Sequence, residues 1–162
     1  IVSKIRKIMD IFHDARGLIH APSYKASAQL VEALKSPRII SHTPENFQDN
    51  LEAFYESDPN CVFISPTCQQ GVDFKGDRAR FQIILRVPYP STSSAFMEHQ
   101  AKNNFPWYSY QALVVFGQQI GRINRAEDDY GATFLLDDRF PKFIGSNSRH
   151  LPSWVKDAIQ WK

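Results

Sequence analysis

The feature that most constrains this chain is a regular alternation of short apolar runs with longer segments of helical spacing. Residues 18–21, 38–42, 61–65, 81–87 and 131–137 are brief runs rich in Ile, Val, Leu and Phe. Between them, residues 1–14 place Ile1, Ile5, Ile8, Ile11 and Phe12 at helical intervals, and residues 24–35 do the same with Ala28, Val31 and Leu34. Pro37 stops that second segment. Thr43 before Pro44 predicts an N-cap and first helical position, with the helix running to about Tyr55. Further helices are predicted over about 92–103, 107–124 and 152–161. Strands alternating with helices predict an α/β fold, an open parallel sheet with helices on both faces. Uninterrupted apolar strands fit a sheet covered on both sides. Such sheets bind ligands beyond the carboxyl ends of their strands. Here three of those ends carry small polar or aromatic residues: Ser23 and Tyr24, then Ser41, His42 and Thr43, then Ser65 and Thr67.

The 162 residues are enough for one domain, read as 1–162, and the balance of 43% hydrophobic to 22% charged is that of a folded chain. No run approaches the ~18 apolar residues of a membrane span. The start at Ile1 shows no initiator Met and no signal pattern, so a fragment of a longer, intracellular protein (cytoplasm, nucleoid or nucleus) is expected. A net charge of +2 neither demands nor excludes a nucleic-acid partner. Cys61 and Cys68 have no second pair with which to hold zinc, so free thiols and no metal site are expected. None of the seven glycines is followed by Lys, so there is no phosphate-cradling P-loop. No Asp-Glu pair stands ready for magnesium, and no nucleophile elbow or His-Glu-x-x-His occurs.

Three segments carry polar chemistry. In the predicted helix over 107–124, Gln118, Gly121, Arg122 and Arg125 fall at i, i+3, i+4 and i+7, one helical face. An amide and two guanidinium forks there suit phosphate oxygens; the same spacing also suits a solvated face with surface arginines. Residues 65–77 run from a strand into a loop holding Gln70, Gly71, Asp73, Gly76 and Asp77, which could present a carboxylate to a sugar or form a plain turn. Ser23 and Tyr24 open a helix after the first strand, either as a phosphate site or as an N-cap with a packed tyrosine.

In this order the segments resemble the C-terminal helicase domain, the second RecA-like domain, of the XPD/DinG-type superfamily 2 DNA helicases. Residues 18–24 resemble motif IV. Gly71-Val72-Asp73-Phe74-x-Gly76-Asp77 resembles motif V, followed by the turn Pro88-Tyr89-Pro90. Gln118-x-x-Gly121-Arg122-x-x-Arg125 resembles motif VI, followed by an acidic-Gly step and a strand leading to Asp138-Arg139. The likeness covers roughly residues 15–140. It departs from the family before motif V, where Gln70 replaces the usual Glu and Cys68-Gln69 an aromatic pair. Family iron–sulphur clusters lie in the other half of the helicase.

The resemblance implies a RecA-like sheet and half of an ATP site. Arg122, Arg125 and Gln118 would act on the phosphates, and Gly71, Asp73, Gln70 and Gly121 would line the nucleotide. Ser23, Tyr24, Thr43, Ser65 and Thr67 would hold single-stranded DNA. ATP with Mg2+ would be bound mainly by an N-terminal RecA-like P-loop domain of the same protein; no membrane partner is expected. The alternatives are a non-catalytic single-strand-binding or protein-docking module, an RNA helicase or translocase of a related branch, and a small-molecule α/β enzyme, for which no nucleophile-base constellation is present.

Overall fold

The computed structural model describes residues 1–68, 72, 74, 76–123 and 130–160. Five parallel strands form one sheet in the order β2-β3-β1-β4-β5. They are β1 (Gly17–His20), β2 (Ile39–Ser41), β3 (Val62–Ser65), β4 (Phe81–Ile84) and β5 (Ala132–Leu135). The chain steps outward from β1 to β2, returns through β3, then crosses to β4 on the other side of β1. This reversal beside β1 creates the crevice of an open α/β sheet. The three inner strands are buried throughout and the two edge strands only partly, so the apolar runs report position in the sheet.

Period-two alternation divides the side chains between two faces. On one, Ile19, Val62, Ile64, Phe81 and Ile83 pack beneath α1 (Val2–Ile11) and α2 (Tyr24–Leu34), which contribute Ile5, Ile8, Met9, Leu30 and Leu34. The other face carries two separate apolar clusters. Leu18 and Phe63 meet Leu51 and Phe54 of α3 (Phe47–Glu56), together with Val72, Phe74 and Ile123. Ile84 meets Leu113, Phe116 and Ile120 of α5 (Phe105–Ile120), Phe140 and Phe143 of α6 (Phe140–Asn147), and Val155 of α7 (Ser153–Ala158). The remaining helix, α4 (Ala95–Asn103), buries no residue and has α5 as its main neighbour. Gly17 is required by close approach: a Cβ there would stand 2.2 Å from the Phe81 ring.

Two expectations are corrected, and one helix is added. The helix after β2 begins at Phe47, not at Pro44, because Asn46 Oδ1 accepts the Thr43 N–H at 2.7 Å and closes a turn over 43–46 first. The long helix ends at Ile120 rather than 124. Gly121 caps it, and the Arg122 N–H bonds back to the Gln119 carbonyl at 3.1 Å, a tightened three-residue step. Gly121 and Arg122 therefore lie beyond the helix and do not share a helical face with Gln118, while Arg125 lies outside the described residues. Finally, α6 has no counterpart in the sequence reading. Pro141 and Gly145 argue against a helix, yet Pro occupies the first turn, where it is tolerated, and Phe140, Phe143 and Ile144 bury one face.

Candidate nucleotide and nucleic-acid site

The carboxyl ends of β1, β2 and β3 converge on a single imidazole. His42, the residue after β2, is buried, stacked on Phe63 at 5.4 Å and met edge-on by Phe47 at 4.8 Å and Tyr24 at 5.5 Å. Its Nδ1 lies 2.9 Å from the Thr43 carbonyl and its Nε2 2.8 Å from Ser65 Oγ. A carbonyl can only accept, so in the neutral ring Nδ1 carries the proton and Nε2 accepts from the Ser65 hydroxyl. Ser65 Oγ in turn accepts the Thr67 N–H at 3.1 Å and lies 3.4 Å from Thr67 Oγ1.

This network sorts the candidate DNA contacts. Thr43 and Thr67 are exposed, and Tyr24 is half-buried against His42. Ser23 is exposed, but its Oγ accepts the Ala26 N–H at 3.2 Å and caps α2. Ser65 is 0% exposed, so it stands behind the surface rather than on it.

The second constellation lies one strand over. His20 Nε2 donates to Gln82 Oε1 at 3.0 Å, and Gln82 Nε2 donates to Thr133 Oγ1 at 2.9 Å. This polar seam crosses β1, β4 and β5 on the face where the two apolar clusters divide. Burial is the main cause that lowers the His20 pKa to about 4; the Gln82 bond opposes it and the charge of Arg122 adds to it. Burial also pushes the Cys68 thiol up to about 12, against a Ser65 hydrogen bond and the same arginine. Both groups sense the positive charge of Arg122.

Arg122 is only 8% exposed, and its Nη1 donates to the Val72 carbonyl in the segment resembling motif V. Motifs V and VI thus meet directly. The adjacent amide Gln119 is buried while Gln118 is half-buried, and both hold a buried Oε1 without a hydrogen-bond partner. Gly121 is the cap that allows the turn into Arg122. Gln70, Gly71, Asp73 and Arg125 lie outside the described residues.

Further polar links brace the edges. Arg80 bonds Asp77 at 2.7 Å, lies 4.0 Å over the Tyr130 ring and donates to the Tyr130 carbonyl at 3.0 Å. Beyond β5, Asp137 accepts from Arg139 and from the Val87 N–H, and the Arg139 bond chiefly holds its pKa down at about 2. Among the described residues no cluster of three or more His, Cys, Asp or Glu could hold a metal ion, and no helix is long and apolar enough to cross a membrane.

Sequence reasoning placed His42 at a polar strand end without giving it a role, and it missed Gln119. A histidine between an apolar strand and a Thr-Pro turn is the one signal that pointed to the first. Helical spacing could have found Gln119, which continues the buried stripe of Ala112 and Phe116 on α5, whereas Gln118 lies off it.

A five-stranded parallel sheet with helices on both faces is the RecA-like fold. The sequence of the helicase C-terminal domain family matches this chain over residues 5–158, and the chain belongs to that family, in its XPD/DinG-type branch. It is 29% identical over 154 residues to regulator of telomere elongation helicase 1 of Rattus norvegicus, covering 80% of this chain and 12% of that protein. It is 29% identical over 136 residues to the Fanconi anemia group J protein homolog of Gallus gallus, covering 71% and 11%. In fold it resembles an apo XPD structure, with a TM-score of 0.71 at 18% identity over 94% of this chain and 34% of that one. It also resembles S. tokodaii Xpd4, with a TM-score of 0.64 at 16% identity over 91% and 31%. The chain therefore spans about an eighth of its curated relatives.

Proposed function

We propose that this domain is the second motor domain of an ATP-dependent DNA helicase. It would supply Arg122 and Arg125 to an ATP site shared with an N-terminal P-loop domain, and would grip single-stranded DNA along its strand ends. The observation that carries this reading is the burial of Arg122 against the Val72 carbonyl. A guanidinium withdrawn from water and held by the neighbouring motif is oriented before any ligand arrives. Charge that develops on a departing phosphoryl group is stabilised most by donors that need not reorganise. The P-loop Lys and the magnesium ligands would come from the partner domain, which accords with the missing P-loop here.

Gln118 and Gly121 flank the arginine at the helix end, and Gln70, Gly71 and Asp73 complete the nucleotide side in this reading. Thr43, Thr67, Tyr24 and Ser23 face the DNA backbone, and Ser65 supports them from behind. Backbone contacts of this kind track a strand without reading its sequence. Closure on ATP and opening after hydrolysis would move the two domains along the strand.

In the full-length helicase, Arg122→Ala is expected to reduce DNA-stimulated ATP hydrolysis by roughly a thousandfold or more, the scale of an arginine finger. Turnover at the wild-type rate in a folded variant would overturn the assignment. The domain alone is expected to hydrolyse no ATP.

A further inference from the structure

We propose that His42 is the positioning residue of the DNA grip, fixing which hydroxyls of the strand ends face the strand. The proposal rests on the strand-end reading above and adds a residue that the motifs do not contain.

The argument starts from proton direction. In the neutral ring the Thr43 carbonyl fixes the proton on His42 Nδ1, so Nε2 accepts and the Ser65 proton points toward it. With its proton committed, Ser65 Oγ is left as an acceptor, and it takes the Thr67 N–H. One ring thereby sets the turn after β3 and the turn after β2 relative to each other. Thr43 is held from its other side by Asn46 Oδ1, and Asn50 Nδ2 donates to the Ser41 carbonyl at 3.0 Å just before it. The same ring meets the edge of Tyr24 from the third strand end. Thr43, Thr67 and Tyr24 are therefore indexed to one rigid, buried group, while Thr43 and Thr67 themselves are exposed and Tyr24 half-buried. A phosphate-tracking surface needs such spacing, because exposed hydroxyls on independent loops would lose ordering entropy on each contact.

The test uses full-length helicase, oligothymidylate as the single strand, three single variants and the double variant His42→Phe with Ser65→Ala. His42→Phe keeps an aromatic ring among Phe63, Phe47 and Tyr24 but removes both nitrogens. Ser65→Ala cuts the same link from the other end, and Thr67→Val removes the hydroxyl of an exposed strand-end residue. His42→Phe and Ser65→Ala are each expected to raise the KM for oligothymidylate about five- to twentyfold, the effect of one to two lost hydrogen bonds. kcat at saturating DNA should change less than twofold, and the double variant should rise no further than the worse single one. A merely structural role would instead lower kcat and raise the KM for ATP together.

An unchanged DNA KM in Ser65→Ala, or additive effects in the double variant, overturns the proposal even if His42→Phe fails to fold. If Thr67→Val raises the DNA KM and His42→Phe does not, the positioning role alone is lost. If Thr67→Val leaves the KM unchanged, the strand-end grip itself is wrong and the proposal falls with it.

Discussion

His20 shows how a single buried side chain can govern stability against pH. Its Nε2 is spent on Gln82, and its Nδ1 is buried without a hydrogen-bond partner. Protonation would place a charge inside the sheet near Arg122, which explains a folded pKa of about 4 against 6.5 in the open chain. The unfolded chain therefore takes up the proton first. His20 contributes its full stability above pH 6.5, loses it as pH falls toward 4, and adds no further slope below that. The total is about 3 kcal/mol from this residue. Denaturant midpoints of the domain measured across that window should fall with acid, and His20→Gln should flatten the fall while still donating to Gln82. Equal slopes in the two proteins would refute it. The His20 seam could not be found in the sequence, since its partners Gln82 and Thr133 lie 62 and 113 residues away and meet it only through parallel register.

At the scale of elements, the end of α1 depends on an arginine from another part of the chain. Arg38, just before β2, donates to the carbonyls of Met9 at 2.6 Å and Phe12 at 2.7 Å, and to Asn60 at 2.6 Å. It satisfies orphan carbonyls at the helix terminus and pins them to the turn before β3. Arg38→Met should cost roughly 2–4 kcal/mol, because charge-assisted bonds to partly buried carbonyls are lost together. Chemical denaturation would check this, and a change below about 0.5 kcal/mol, the range of an ordinary surface substitution, would show that water replaces the guanidinium. The helices themselves were mostly legible, because apolar spacing marks α1 and α2 plainly. Their ends were not. Local signals favoured a start at Thr43 and an end near Asn124, but Asn46 closes a turn at the first and Gly121 caps the second.

At the scale of the molecule, packing is uneven. The sheet and its two covering layers enclose three apolar clusters, whereas α4 buries nothing and leans on α5 through contacts such as the Phe96–Trp107 ring pair at 5.9 Å. Amides of α4 should open locally and exchange roughly a hundredfold or more faster than those of β1 and β3. Hydrogen exchange resolved by residue would test it, and equal protection would mean that α4 unfolds only with the whole domain. The sequence by itself determined the α/β class, the number of strands and the polar residues that follow the first three of them, because strand and helix periodicity are local properties of burial. It also supported a family assignment, through motifs V and VI in the right order. Only the tertiary structure decided that Arg122 leaves its helix to meet Val72, that Ser65 lies behind the surface, and that His42 joins three strand ends. Those outcomes depend on groups brought together by strand order β2-β3-β1, which no spacing along the chain encodes.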